Sequence, residues 1–385
     1  MLSPLVACVI VKLYTILVLN SEGVMVSGRI AIGVIGASAH YGWAKRAHMP
    51  ALAALPEYEL MAVCTANAES AQESKELYGA QKAYSDYKEI IADPNIDVID
   101  VCVRAPSHYL IALEALRSGK HVLCEWPLGA SSAQAVELAN SASQQNSQTG
   151  VILQSRYAPG FMYVRELLGE GYVGDILSVN MTMFLPGQMR SRTESSAWSA
   201  DKSNGAHVLN IHTGHALDVF LWCIDSEFSS IQSLVGAQIP TATLTDTQRV
   251  IDVTSPDNVL IQGRLQNNAL ASVHIASIPA HGSAFRMEIY GTEGTLVAQS
   301  SQMVEMVDPI ITGARADGGK LEVMPPPEHL RLAPASTPPG VAVNVAQMFR
   351  KFSECLRTGQ PFAPSFEEAA NRQSLLARID NDAPA

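Results

Sequence analysis

Residues Arg29 to Leu52 read RIAIGVIGASAHYGWAKRAHMPAL. The first eight are a short apolar run closed by a glycine, which predicts a buried strand. Helical spacing follows over Ala44 to Leu55. A glycine-rich turn between a strand and a helix lets a pyrophosphate approach backbone N–H groups. Gly36 and Gly42 are the turn glycines, with Ser38 and Trp43 beside them as candidate dinucleotide contacts. The G-x-G-x-x-G pattern is degenerate: Ser38 stands where a second glycine is expected, and the loop is one residue longer. A tight structural turn without a ligand is the alternative. Its place between the chain's first strand and first helix favours the dinucleotide.

The pattern continues outward from this turn. Glu59 to Cys64, Val98 to Val103, His121 to Cys124 and Gly150 to Gln154 read as further strands. Helical stretches Ala68 to Tyr78, Tyr87 to Ala92, His108 to Ser118 and Ser132 to Gln145 alternate with them. That alternation predicts an α/β, doubly wound parallel sheet over residues 29–154. After Ser155 the grammar changes. Long runs such as Ile176 to Phe184, Asn258 to Gln266 and Leu270 to Ile278 alternate apolar with polar residues. They predict an α+β domain over 155–385 with an open, mainly antiparallel sheet and terminal helices. The helix His207 to Leu221 is expected between its first strands. Pro325 to Pro339 reads as a surface linker.

The chain has 385 residues, 47% hydrophobic and 16% charged, so it is globular with room for two cores. Its net charge of −11 argues against direct nucleic-acid binding. The six cysteines form no C-x-x-C pair, and Cys64, Cys102 and Cys124 sit in apolar runs. Buried reduced thiols are expected, with no metal site, in a cytoplasmic setting. Residues 1–28 include an apolar leader, MLSPLVACVIVKLYTILVLN. It reads as a signal or anchor, as an extra element, or as a mis-start upstream of Met25, so membrane or secretory targeting stays open.

The strand tips carry the candidate chemistry. The second strand ends at Thr65, Ala66 and Asn67, without the acid that holds an NAD ribose, so NADP is at least as fitting as NAD. Arg104 and His108 follow the third strand and can reach cofactor or substrate. His108 can equally serve as a local cap.

The stretch GKHVLCEWPLG, Gly119 to Gly129, resembles a signature of the glucose–fructose oxidoreductase, inositol dehydrogenase and rhizopine-catabolism family. Gln154 to Val179, Met287 to Val297 and Gln360 to Ile379 resemble its crossover segment, its I-x-G-T-x-G-x-L strand and its terminal helix. The resemblance implies hydride transfer between NAD(P) and a sugar or polyol hydroxyl. It also implies a lysine in E-K-P that moves the hydroxyl proton, a proline there that is often cis, and a D-x-G-x-H-x-x-D helix. Glu125, Pro127, His215 and Asp218 match. Trp126 stands for the lysine and Ile211 for the first aspartate.

These departures resemble the fungal galactose-pathway repressor branch of the family, whose members bind a dinucleotide and control an activator. Fungal relatives of that branch are also called oxidoreductases, some of secondary metabolism. Indole cannot shuttle a proton near neutral pH. His215, His212 and Tyr157 are the candidate replacements, with lining of an apolar pocket as the plain role of the histidines. Glu125, Trp126 and Pro127 are expected beside the cofactor. The first reading is an NAD(P)-dependent oxidoreductase acting on a small-molecule hydroxyl or carbonyl. The alternative is a non-catalytic dinucleotide-binding regulator with a protein partner. A homo-oligomer formed through the open sheet is expected for either.

Overall fold

The computed structural model describes residues 28–186, 191–278 and 281–382. The leader, with Cys8 and Met25, lies outside them.

Six strands form a wholly parallel sheet: β1 (Ile30–Ile35), β2 (Tyr58–Cys64), β3 (Lys82–Tyr84), β4 (Val98–Val101), β5 (His121–Glu125) and β6 (Thr149–Ile152). Their order is β3-β2-β1-β4-β5-β6. The chain reverses direction across the sheet between β1 and β4, which places a crevice at the carboxyl ends of these strands. Helices cover both faces, so β1, β4 and β6 are apolar almost throughout. Asn67, Asp86 and Ser131 each cap a following helix with a side-chain oxygen.

The helix expected over Ala44 to Leu55 is two pieces, Trp43–Arg46 and His48–Ala54. Ala47 between them has φ −123° and ψ −59°, outside helical geometry. Pro50 has no N–H for the Arg46 carbonyl, so a continuous helix is interrupted here and proline falls in the first turn of the second piece.

The second half holds β7 (Ile176–Phe184), β8 (Ser191–Arg192), β9 (Phe228–Gly236), β10 (Thr241–Leu244), β11 (Val250–Asp252), β12 (Asn258–Leu265), β13 (Leu270–Ala276), β14 (Ala284–Gly291), β15 (Gly294–Ser300), β16 (Ile310–Arg315) and β17 (Glu322–Val323). Eight of them form one sheet, β17-β16-β15-β14-β7-β13-β12-β9, and β11-β10-β8 form a small second one. Within the larger sheet only β13 and β7 run parallel. One face packs under helices Pro159–Gly169 and Gly214–Ile224, and the other is open. Leu260 pairs with Leu234 on that open face, and both are exposed.

The helix expected at His207 starts later. A π-helical turn, Leu209–Thr213, leads into Gly214–Ile224. The chain ends by crossing back. Phe349 and Phe352 of the helix Val341–Thr358 pack with Ile30, Ile32 and Leu123 of the parallel sheet. Gln373 of the last helix exchanges two hydrogen bonds with the backbone of Gly129, at 3.0 and 2.8 Å. The Trp126–Pro127 peptide is cis. Five described cysteines, Cys64, Cys102, Cys124, Cys223 and Cys355, are buried thiols. No described helix is long and apolar enough to cross a membrane.

Candidate active site

A cavity of about 1000 Å³ runs along the carboxyl ends of β1, β2, β4 and β5. Its floor is the glycine turn. Gly36 has φ +100°, and a Cβ there would stand 2.0 Å from the Cys102 carbonyl oxygen. Only glycine permits that approach. Gly36 N–H donates to the Cys64 carbonyl at 2.9 Å, so the turn ties β1 to β2 while pressing on the end of β4. Gly42, also at φ +100°, has nothing within 4 Å of a built Cβ and leaves its backbone open to the cavity. Ser38 and Trp43 line the same stretch. The buried Trp43 Nε1 has no partner among the described residues. An open glycine backbone beside an orphaned donor fits the polar spine of a dinucleotide.

At the β2 tip, the Thr65 hydroxyl bonds Ser70 at 2.7 Å, and Asn67 is committed to its helix. Glu69 and Glu73, from the helix after it, line the cavity at this end. His40 Nε2 lies 2.7 Å from Glu73. The tip lacks an acid, as the sequence reads, but its surroundings do not.

Arg104 crosses the cleft. Its Nη2 donates to the Ser195 carbonyl at 3.0 Å, and its guanidinium lies 5.4 Å from the Trp198 ring centre. His108 is buried, with ring nitrogens 2.7 Å from the Pro127 carbonyl and 3.0 Å from that of Val103. It clamps two loops together at the cavity wall.

Beneath the cofactor stretch lies a network that the sequence reading missed. His48 Nε2 is 2.6 Å from Glu125 Oε1, and its Nδ1 is 2.7 Å from Asp100 Oδ2. Burial opposes charge on His48, but Asp100, with Cys102 beside it, outweighs burial and holds the imidazole well above its ordinary value. The imidazolium thus donates to a carboxylate on each side. Glu125 lines the cavity, with 12% of its side chain exposed. Cys102 lies close enough to complete a metal-like trio with His48 and Glu125. Both ring nitrogens of His48 are already spent on carboxylates, and burial pushes the Cys102 thiol up to about 11. The available signal was Asp100, an acid inside the otherwise apolar VIDV.

Trp126 is buried and donates its Nε1–H to the Asn210 carbonyl at 2.7 Å. Ile211, the next residue, lines the cavity. His215 lies edge-on to Trp126, ring centres 6.5 Å apart. Its Nδ1 is buried without a partner among the described residues, and burial lowers its pKa despite Glu305 and Glu125 nearby. His212 Nδ1 pairs with Glu305 at 2.8 Å. Neither histidine is among the described residues that line the cavity.

Two expectations are corrected outright. Tyr157 turns away from the cleft. Its hydroxyl donates to the Ala363 carbonyl, and its ring stacks on Phe362. It fastens the chain end to the parallel-sheet domain and cannot serve the cavity. Asp218 is no cleft acid either. It receives Arg156 Nε and Nη2 at 2.7 and 2.6 Å in a buried, bidentate ion pair.

Comparison with known proteins agrees with this geometry. A profile described as "Oxidoreductase family, NAD-binding Rossmann fold" matches residues 30–153, and one described as "Gal80p, C-terminal domain" matches 159–300. The dehydrogenase aclE of Aspergillus oryzae is 28% identical over 300 residues, 74% of this chain and 80% of that protein. Levoglucosan dehydrogenase of Pseudarthrobacter phenanthrenivorans is 28% identical over 291 residues, 69% of this chain and 72% of that protein. The crystal structure of a super-repressor mutant of Gal80p from Saccharomyces cerevisiae superposes with a TM-score of 0.82 at 22% identity, over 92% of this chain and 96% of that one. Two matched profiles over a sheet with its crevice at the β1/β4 switch lead to one conclusion: residues 30–153 match the NAD-binding Rossmann domain of an oxidoreductase family, and residues 159–300 are similar to the C-terminal domain of Gal80p.

Proposed function

We propose that the chain is an NAD(P)-dependent oxidoreductase that interconverts a hydroxyl and a carbonyl on a small molecule. The observation that carries this reading is Glu125. Its carboxylate reaches the cavity next to Trp126, held from behind by His48 at 2.6 Å. The bound dinucleotide would supply or take up the hydride. The chain's part is the proton. An alcohol's hydroxyl proton moves to the Glu125 carboxylate as its carbon loses hydride, and returns in the reverse direction. His48 and Asp100 position that carboxylate. His215 lies against Trp126 and not on the cavity wall, so we give it the support of the indole and not the proton.

The test is titration of the purified full chain with NADH and NADPH, followed by a pool of ketones, aldehydes, sugars and polyols. Loss of reduced-nicotinamide absorbance with one pool is expected. Glu125→Gln should then cost about 10²–10⁴-fold in turnover, with NADH still bound.

A second reading has its own observation. The Trp126 N–H is spent on Asn210, and Ile211 is apolar, so the two polar groups that the family resemblance calls for are gone. On this reading the chain is a dinucleotide-responsive regulator acting through a protein partner. Tight NADH binding with no pool oxidising it would favour this reading. In either case a second copy can pair on the open sheet face, where Leu234 and Leu260 are exposed. Sedimentation of the purified chain tests that pairing.

A further inference from the structure

We propose that the substrate end of this cavity takes a flat aromatic or conjugated carbonyl compound, or its alcohol, and not a polyol. The proposal rests on the oxidoreductase reading only in taking this end as a substrate site. Past the glycine turn, the wall is Trp126, Pro127, Trp198, Ala206 and Ile211. Trp126 has given its single N–H to Asn210 and is buried, so it offers the cavity an apolar edge and no hydrogen bond. Trp198 is a fixed platform. Arg104 lies over its ring, and Asn204 Nδ2 donates to its carbonyl at 2.7 Å.

The charged groups at this end are already engaged. Arg104 serves the Ser195 carbonyl, and one oxygen of Glu125 serves His48. A polyol arriving here would leave water for a wall that returns few hydrogen bonds. Each unmatched hydroxyl costs about tenfold in affinity. An aromatic ring loses little water and gains stacking area against the Trp198 indole, with the edge of the buried Trp126 beside it. One cavity-facing carboxylate serves one reacting oxygen, which suits a substrate with a single hydroxyl or carbonyl.

The probes are 2-acetylnaphthalene and myo-inositol, added to the full chain with NADH present and followed by saturation-transfer NMR. The ketone should bind saturably, and myo-inositol should give no transfer. Trp198→Ala should weaken ketone binding about tenfold or more, and Trp198→Phe should recover most of it. Far-UV circular dichroism checks that both variants fold. Binding of myo-inositol at least as tight as the ketone overturns the proposal. So does absence of ketone binding, or ketone binding indifferent to Trp198→Ala. Ketone binding that depends on Trp198 while no NADH is consumed upholds the site's chemistry and counts against the oxidoreductase reading alone.

Discussion

Trp126 and Gly214 are a fitted pair: a Cβ on Gly214 would stand 2.4 Å from the indole Nε1 and 2.5 Å from Cζ2. Gly214 has ordinary helical angles, φ −60° and ψ −53°, so its backbone does not demand glycine. The missing side chain makes room for the tryptophan that stands where the family lysine is expected. An alanine here ordinarily stabilises a helix by about 0.5–1 kcal/mol. With Trp126 present, Gly214→Ala should instead cost about 1–3 kcal/mol through overpacking. With Trp126→Ala as background, the same change should be neutral or stabilising. Denaturant midpoints for the four chains give the coupling. Additive effects would mean that the indole does not fill this space.

Asp218 matches a family site residue, yet its carboxylate is buried against Arg156, with Arg372 also near at 3.6 Å. Asp218→Asn removes the charge that compensates two buried guanidiniums. Breaking such a pair costs about 3–5 kcal/mol. The expected result is a large fall in denaturant midpoint with NADH affinity nearly unchanged in the folded protein. A variant of native stability with impaired turnover would instead put Asp218 back in the chemistry.

The strand–turn–helix start was legible because its constraints are local. Gly36 must adopt a left-handed φ, and parallel strands buried on both faces must be apolar. The break before His48 has a local sign in Pro50, which cannot donate to the Arg46 carbonyl and fits only the first turn of a new helix; the partners of His48 had none. His48 is placed between Asp100 and Glu125, 52 and 77 residues away. Glu305, which pairs with His212, and Trp198 come from segments without regular periodicity, so no pattern announces them. The EWP stretch did reveal that the lysine was gone. It did not reveal that the indole N–H would be used up by Asn210.

The β2 tip read as permissive for NADP because Thr65, Ala66 and Asn67 carry no charge. The folded chain adds Glu69 and Glu73 to that end of the cavity. A 2′-phosphate there would meet carboxylates with no described arginine lining that end. NADH should therefore bind about three- to tenfold tighter than NADPH at low salt, equal to roughly 1 kcal/mol. The gap should narrow with salt and in a Glu69→Gln, Glu73→Gln double variant. Fluorescence titration of both cofactors decides it. NADPH binding as tightly as NADH in the unmodified chain would show that these carboxylates stand clear of the ribose.

His207 sets an acid limit on stability. It is 3% exposed, and burial, with Lys202 nearby, brings its pKa down to about 4, Asp380 opposing. The unfolded side chain titrates near 6.5. Between those values the unfolded state binds a proton that the folded state refuses, so stability falls as pH drops from about 6.5 to about 4. The loss is about 3 kcal/mol at completion. His215, also held low by burial, adds in the same direction. His48 has the opposite sign. Its raised value gives stability that is full below about 6.5 and lost as pH rises through the folded pKa, so it acts in a separate window. His207→Gln should flatten the acid limb of the denaturant-midpoint curve between pH 4 and 6.5 without altering the alkaline limb. An unchanged acid limb in that variant would show that His207 is charged in the folded protein.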